Sequence, residues 1–448
     1  VNAPRTAPPA PLSGFPEWLP AERLVELQVL DTVRRIFELH GFTSLETRAV
    51  EPLDQLLRKG EMDKEVYAVR RLQAAEGESD SGLALHFDLT VPFARYVLQN
   101  AGHLEFPFRR YQIQKVWRGE RPQDGRFREF TQADIDIIGR DTLAFHHEVE
   151  VALVMAEVFR DLPMPAAVIL VNNRRLAEGF FLGLGAADPA VVLRAVDKLD
   201  KIGPVKVADL ICSEAGLSAA AAQQCLALAS IQTPDTSFVD QVRRLGVEHP
   251  LLDQGLAELA AVVGAAAEQS PGSVVAALKI ARGLDYYTGT VYETQLVGYE
   301  SVGSVCSGGR YDSLASDGRT TYPGVGISLG LTRLVSVLLG RSLVSASRAV
   351  PTCVLVAVSD EEQRAQSQDV ATSLRARGIP TEVAPKADKF GKQIRYADRR
   401  GIPYVWFPGN DEPLKDIRSG DQVAADPATW EPPAADLHPR IIQTPPQI

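Results

Sequence analysis

The stretch FRRYQIQKVWRGERPQDGRFREFTQADIDIIG, residues 108–139, constrains the fold more than any other part of the chain. Its two ends read as strands and its centre as a loop, because Pro122 and Gly125 interrupt the run. Side chains on a strand alternate between faces. In the second strand Thr131, Ala133, Ile135 and Ile137 form an apolar face suited to a core. Phe130, Gln132, Asp134 and Asp136 form the opposite face, an aromatic, an amide and two acids beside an arginine-rich loop. A solvated hairpin face and a ligand-binding face both fit that pattern.

The chain has 448 residues, enough for two or three domains that each bury a core. Apolar residues make up 45% and charged residues 23%, an ordinary globular balance. No apolar run is long enough to cross a bilayer. The start, VNAPRTAPPAPLSG, has neither a basic nor an apolar leader region, so no signal peptide is expected. Cys212, Cys225, Cys306 and Cys353 are spaced for neither a zinc site nor a disulfide scaffold. A reducing compartment, the cytosol, follows.

The net charge of −10 argues against a protein that coats nucleic acid non-specifically. Two local patches run the other way. Residues 108–130 hold seven basic side chains against three acids, and residues 386–400 hold six against two.

Residues 1–16 read as a Pro-rich arm, followed by a helix through Leu24, Leu27, Leu30, Val33, Ile36 and Phe37 that stops at Gly41. DTLAFHHEVEVALVMAEVF predicts a helix capped by Asp141. Residues 176–272 are rich in Ala and Leu and poor in strand signal, which predicts a helical insertion. Strand texture returns at Val274. After a composition shift at 341–351, strand and helix patterns alternate, which implies a small α/β domain with a largely parallel sheet.

Several stretches carry chemistry-bearing groups. RGLDYYTG, residues 282–289, sits between two apolar runs that read as strands, and holds an arginine, an aspartate and two adjacent tyrosines. Asp88 and Thr90, in HFDLTVPFARY, have the spacing to hold an ammonium group, although a helix N-cap explains that spacing better. SGGRYDSL (307–314) and PGVGISLGLTRL (323–334) join glycines, which allow close backbone approach, to an arginine suited to phosphate. His146, His147 and Glu150 lack a zinc-hydrolase spacing and read as a solvated helix face, and no metal site is expected. The residues by themselves suggest a cytosolic enzyme that binds a nucleotide and a small cationic substrate.

These motifs resemble those of the histidyl-tRNA synthetases, a family of class II aminoacyl-tRNA synthetases. WRGERPQDGRFREFTQADID resembles class II motif 2 and GVGISLGLTRL resembles motif 3. ARGLDYYTG and SGGRYDSL resemble two signatures specific to the histidine enzymes. KFGKQIRYADRRGIPY resembles the anticodon-binding domain shared by several class II synthetases. The resemblance covers residues 14 to about 430.

The resemblance implies an α+β fold: an antiparallel class II sheet flanked by helices, a helical insertion and a C-terminal α/β anticodon-binding domain. The implied division is 1–175 and 273–340 for the catalytic core, 176–272 for the insertion and 351–448 for the anticodon-binding domain. It implies ATP with Mg as cofactor, L-histidine and its tRNA as partners, a homodimer without membrane contact, and a cytoplasmic location. Arg282 and Arg118 would be catalytic, with Arg282 doing work that a metal does in other class II enzymes. Asp88, Thr90, Gln132, Asp136, Tyr286, Tyr287 and Tyr311 would join them around histidine. Arg118, Glu120, Arg126, Phe130 and Arg333 would hold ATP, and Lys389, Lys392 and Arg395 would contact tRNA. Two departures stand out: Arg48 lies near the place of the usual motif 1 proline, and His86 and Phe87 stand where the related pattern often has Arg and Tyr. A competing reading is a non-catalytic, histidine-binding regulatory paralogue. Such paralogues generally lack the last domain and have a degraded RGLDYY loop.

Overall fold

The structure, a computed structural model, describes residues 10–57, 65–71, 82–281 and 286–444. It divides into two compact units. The first contains Thr32–Val337 with the N-terminal stretch through Pro16, and the second contains Glu17–Asp31 with Leu338–Ile448.

The first unit is built on a nine-stranded sheet. Its strands are β1 (Thr43–Ser44), β2 (Phe108–Trp117), β3 (Glu129–Ile138), β4 (Ala167–Asn173), β5 (Gln232–Thr233), β6 (Val274–Ala277), β7 (Thr290–Leu296), β8 (Cys306–Tyr311) and β9 (Gly324–Gly330). Their order in space is β1-β2-β3-β9-β8-β7-β4-β6-β5. β1 with β2 and β4 with β6 are parallel pairs, and the other neighbours are antiparallel.

β2 and β3 are the long pair that the alternation predicts. Ala133, Ile135 and Ile137 are fully buried. Helix His146–Asp161 lies across β3, β4 and β9 and buries Val151, Val154, Met155 and Val158. That helix does not begin at Asp141 as the sequence suggests. Asp141 takes a positive φ of 62° in a tight bend, and its N–H is used by the carbonyl of Thr321. His147 is buried against Glu150, which the expected solvated face did not foresee.

β6 and β7 flank the RGLDYYTG loop, yet β4 lies between them. The two strands are therefore not neighbours, and a tight hairpin turn cannot join them.

Residues 174–269 form six helical segments around the short strand β5, one of which, Leu199–Ala215, is broken by a kink at Gly203. Three of their starts carry ordinary Asn, Asp or Ser caps. The Asn173 side chain accepts from the N–H groups of Arg175 and Leu176, Asp188 precedes Pro189 and accepts from Ala190, and Ser218 accepts from Ala221. Helices Arg174–Gly183 and Pro250–Gln269 cross with glycine on both sides. A Cβ on Gly179 would lie 2.2 Å from the Leu252 nitrogen, and one on Gly255 would lie 2.1 Å from the Leu176 nitrogen.

In the second unit the strands 381–383, 354–356, 404–406, 414–416 and 422–423 form one sheet in that order. The first three are parallel and the last two antiparallel. The alternation splits the core in two. Val354, Val356 and Trp406 pack with Ala371 and Leu374 of helix Arg364–Ala376, while Leu355, Val405 and Phe407 pack with Ala397 of helix Phe390–Arg400.

The glycine crossing gives a test with an internal control. Gly255→Ala forces a methyl into backbone and should cost about 1–3 kcal/mol by overpacking. Gly264→Ala, on the same helix but facing only Thr236 Cγ2 at 3.7 Å, should gain about 0.5–1 kcal/mol from helix propensity. Thermal unfolding of the two variants beside the parent measures both signs.

Candidate active site

The polar face of β3 is assembled by register. Directly opposite pairs share a face. Asp136 stands opposite Arg110 of β2 and Gly326 of β9; Asp134 stands opposite Gln112 and Ser328; Gln132 stands opposite Gln114 and Gly330. Gly326 is required here, since a Cβ would lie 2.1 Å from Asp136 Oδ1. The room it leaves is taken by the Asp136 carboxylate, and Gly324 leaves room for the ring of Tyr311 of β8, whose hydroxyl donates to Asp136 Oδ1 at 2.7 Å. Asp136 Oδ2 pairs with Arg110 Nη2 at 2.7 Å, and both side chains are essentially excluded from water. Gln132 Nε2 donates to Ser328 Oγ at 2.7 Å. Burial pushes the Asp134 carboxyl up to about 7, although the Arg110 charge opposes the shift.

Between β2 and β3 the loop turns back on itself. Arg118 N–H donates to the Arg128 carbonyl at 2.8 Å, and Gln123 bridges Arg126. Gly125 supplies the positive φ of 67° at the turn. Arg118 Nε donates to the Phe87 carbonyl at 3.0 Å, and its guanidinium lies 5.1 Å from the Phe130 ring centre. Arg333 Nε donates to the Gly125 carbonyl at 2.7 Å and its Nη1 bonds the Ser304 carbonyl. Glu120 lies 3.5 Å from Arg126 and 3.8 Å from Arg118.

Arg118, Glu120, Arg126, Phe130, Gln132 and Arg333 all line one cleft of about 590 Å³. That size is ordinary for a small-molecule site. Three guanidiniums against one carboxylate make it a site for an anion, and Phe130 offers a flat ring for stacking. A smaller inner cavity of about 230 Å³ is lined by Thr90, Asp134, Asp136, Tyr287, Tyr311 and Ser328 among others. A third cavity joins the two, since Tyr286 and Tyr287 line it together with Arg118, Arg126 and Arg333. The tyrosine rings stand 4.1 Å apart, and Tyr287 lies so close over Gly309 that a Cβ there would be 2.8 Å from its ring. An arginine-lined mouth thus leads to an acid-lined interior.

The Histidyl-tRNA synthetase family model matches residues 14–334, and the Anticodon binding domain model matches residues 352–424. Curated relatives called Histidine--tRNA ligase include one from Cutibacterium acnes, 62% identical over 97% of this chain and 99% of its own. Another, from Micrococcus luteus, is 62% identical over 96% and 98%. The chain belongs to the histidyl-tRNA synthetase family. A solved histidyl-tRNA synthetase from Nostoc sp. superposes with a TM-score of 0.84 at 35% identity, covering 94% of this chain and 97% of that one. An ATP phosphoribosyltransferase regulatory subunit/histidyl-tRNA synthetase from Bacillus halodurans gives 0.72 at 18% identity over 91% and 99%, a likeness of fold alone. The mixed sheet flanked by helices is therefore the class II fold of the histidyl-tRNA synthetases, followed by an anticodon-binding domain.

The histidyl-tRNA synthetase motifs do not all arrive at the cavities. Arg118, Glu120, Arg126, Phe130, Gln132 and Arg333 meet in the outer cleft, and Thr90, Asp136, Tyr287 and Tyr311 meet in the inner one. Asp88 accepts from the Val91 N–H at 3.1 Å, the helix-capping role that its spacing favoured. Arg282 falls in 282–285, outside the described residues. Lys389, Lys392 and Arg395 belong to the second unit. Arg310 of SGGRYDSL, read as suited to phosphate, is consumed elsewhere: it pairs with buried Glu148 at 2.9 Å and with Asp312 at 3.0 Å. Sequence reasoning passed over Arg110 and Ser328, and it set Asp134 on the polar strand face without giving it a role. The period-two register of β2 against β3 was the available signal for Arg110. Among the described residues no cluster of three or more His, Cys, Asp or Glu side chains is placed to hold a metal ion.

Asp136→Asn keeps the shape of the side chain but leaves the Arg110 charge buried without its counter-ion. Loss of one partner of such a pair costs about 3–5 kcal/mol. Urea unfolding should show a loss of that size. The double replacement Arg110→Met with Asp136→Leu should be milder than the single one.

Proposed function

We propose that this chain ligates L-histidine to its tRNA through a histidyl-adenylate, in the cytoplasm and as a homodimer. The observation that carries this reading is the arginine-lined cleft opening onto an acid-lined cavity, in a chain of this family. Magnesium enters with ATP as part of the substrate. The division is a catalytic core of 1–175 and 273–340, an insertion of 176–272 and an anticodon-binding domain of 351–448.

In the first step a carboxylate oxygen of histidine attacks the α-phosphorus of ATP. The bond from that phosphorus to the bridging oxygen breaks, and pyrophosphate leaves. Arg118 and Arg282 hold the carboxylate and the α-phosphate together. A guanidinium suits this because it is permanently charged and presents a planar fork. Arg126 and Arg333 hold the γ-phosphate. Phe130 stacks on adenine and Glu120 accepts from it. Thr90, Gln132 and Asp88 take the α-ammonium, while Tyr286, Tyr287, Tyr311 and Asp136 border the side chain. In the second step a ribose hydroxyl of the terminal adenosine of tRNA attacks the carbonyl carbon, and AMP leaves.

The regulatory-paralogue reading is the weaker one. Such a protein needs no phosphate clamp, yet Arg118, Arg126 and Arg333 converge on one cleft, and the anticodon-binding family matches residues 352–424. ATP–pyrophosphate exchange with each amino acid in turn separates the two. Exchange should appear with histidine alone. Arg118→Ala should lower it about 10²–10³-fold, the usual cost of losing one donor to developing charge. No exchange with any amino acid favours the paralogue.

For tRNA, support comes from helix Phe390–Arg400 and its approach. Lys386, Lys389, Lys392, Arg395 and Arg399 are exposed there, and Phe390, 40% exposed, offers a ring among them. Cations hold phosphates, and an exposed ring stacks on an unpaired base. Replacing Lys389, Lys392 and Arg395 with Ala should weaken tRNA binding and flatten its salt dependence, measured by filter binding from 50 to 200 mM salt. Histidine-dependent pyrophosphate exchange should stay at the parent level. An unchanged salt slope would move the tRNA contact off this helix.

A further inference from the structure

The tyrosines at the junction of the two cavities stand near the end of a loop, and that end is held by a network of ions. Tyr286 and Tyr287 are followed by Thr288, Gly289 and Thr290, and each of these three is gripped. The Thr288 hydroxyl donates to Asp312 Oδ2 at 2.6 Å, and its N–H donates to the Arg310 carbonyl at 2.8 Å. The Gly289 carbonyl accepts from the Arg174 N–H at 2.9 Å. The Thr290 N–H donates to Glu148 Oε2 at 3.0 Å. Gly289 has no room for a side chain, since a Cβ would lie 2.9 Å from Arg310 Cδ and 3.1 Å from Glu148 Oε2.

One side chain joins these contacts. Arg310 Nη1 pairs with Glu148 Oε1 at 2.9 Å and its Nε with Asp312 Oδ1 at 3.0 Å. Both of its Nη atoms donate to the Leu143 carbonyl, at 3.3 and 3.2 Å. The guanidinium thus lies between the acid that holds Thr290 and the acid that holds Thr288. Glu148 comes from the first turn of helix His146–Asp161 and is fully buried, and Arg310 is 11% exposed. Arg310 and Tyr311 are consecutive on β8, so they turn to opposite faces of the sheet. Tyr311 reaches the inner cavity, and Arg310 works from the other face. On the site face Tyr287 packs on Gly309, the residue before Arg310, where a Cβ would be 2.8 Å from the ring. An apolar filling of similar volume is often as stable as a buried ion pair, whereas a satisfied polar network fixes geometry. What this network contributes is the place of the chain at 288–290.

We propose that Arg310 is a positioning residue for the reaction: through Glu148 and Asp312 it fixes Thr288–Thr290 from the face of the sheet remote from the site, and thereby sets Tyr286 and Tyr287 where the two cavities join. This rests on the histidine-activating function proposed above.

The fork of the guanidinium matters as much as its charge. Nε and Nη1 serve two different carboxylates, and the rigid plane between them sets the spacing of the two acids. A lysine ammonium is a compact point charge and cannot span both. Loss of the grip on Thr288 lets Tyr287, the preceding residue, shift, and a misplacement of about 1 Å at a reacting centre costs about 10²-fold. The arginines assigned to ATP lie outside this network: Arg118 is fixed by the Phe87 carbonyl, and Arg333 by those of Gly125 and Ser304. The loss therefore falls on histidine and spares ATP.

The test follows histidine-dependent pyrophosphate exchange in Thr288→Val, Thr288→Ser, Asp312→Ala, the double variant Thr288→Val with Asp312→Ala, and Arg310→Lys, with thermal unfolding of each. A variant that is only less stable loses active enzyme, which scales kcat and leaves both KM values where they were. Thr288→Val, Asp312→Ala and Arg310→Lys should instead raise the histidine KM about 10- to 100-fold with the ATP KM within about twofold, and Thr288→Ser, which keeps the hydroxyl, should stay near the parent. The double variant should be no worse than the worse single one, because its two changes break one contact. A parental histidine KM in Thr288→Val and Asp312→Ala would overturn the inference, whatever their melting temperatures. So would additive losses in the double variant, equal rises in the histidine and ATP KM, or a parental histidine KM in Arg310→Lys. Should Arg310→Lys not fold, the Thr288 and Asp312 variants carry the test. A parent without histidine-dependent exchange would instead sink the function on which the inference rests.

Discussion

The buried pair of Arg110 and Asp136 is the constraint around which the catalytic sheet is arranged. Two ions removed from water repay their desolvation only with close geometry and further hydrogen bonds. Here the contact is 2.7 Å, Tyr311 supplies a third partner, and the guanidinium lies 4.4 Å from the centre of the Phe93 ring. That ring offers its negative face to a cation whose Nε and Nη1 have no hydrogen-bond acceptor among the described residues. Each partner comes from a different element: β2, β3, β8 and helix Thr90–Asn100. One ion pair therefore ties together the elements that line the inner cavity. Gly326, with no room for a Cβ beside Asp136, is part of the same device.

This arrangement also sets the electrostatic sense of the site. Arg110 neutralises one acid of the interior, and among the described residues no second cation pairs with Asp134. The outer cleft has the opposite imbalance, with Arg118, Arg126 and Arg333 around Glu120. A zwitterion that enters is oriented by this gradient before any close contact forms, its anionic end toward the mouth and its donors inward. The arginines are in turn fixed by backbone carbonyls, Arg118 by Phe87 and Arg333 by Gly125 and Ser304. Such fixing lowers the reorganisation needed when charge develops on the phosphate.

Much of this was legible in the sequence, because alternation on β3 reports directly on which side chains share a face. The apolar set Ala133, Ile135 and Ile137 went to the core, and Gln132, Asp134 and Asp136 turned together. The resemblance to the synthetase motifs added the outer arginines, which no spacing rule would have brought from positions 118, 126 and 333 into one cleft. What stayed hidden depended on partners distant in sequence. Arg310 looked like a phosphate ligand until Glu148 and Asp312 claimed it. Asp141 looked like a helix cap, but the bend that pairs its N–H with Thr321 sets the backbone first. The interposition of β4 between β6 and β7 is a matter of sheet order, which local periodicity does not encode. Asp134 and Asp136 are identical in type and sit two residues apart. Among the described residues, only their long-range partners distinguish the acid held on both oxygens from its neighbour.

The same reasoning accounts for a polyanion-binding role in a chain of net charge −10. At physiological ionic strength charges separated by more than about 8 Å are largely screened, so the total charge has little reach at a given surface. What a phosphate meets is the local field. On helix Phe390–Arg400 the exposed cations occupy one side, while Gln393 and Ala397 turn inward and anchor the helix on its sheet. Gln393 does so by polar means, accepting from the Val358 N–H and donating to the Val358 carbonyl. The anchor fixes the direction of the basic face without spending an apolar residue where phosphate has to approach. On the proposed function, an acid interior would serve a small zwitterion and a basic helix a large polyanion, and each charge problem would be met by its own sheet and core.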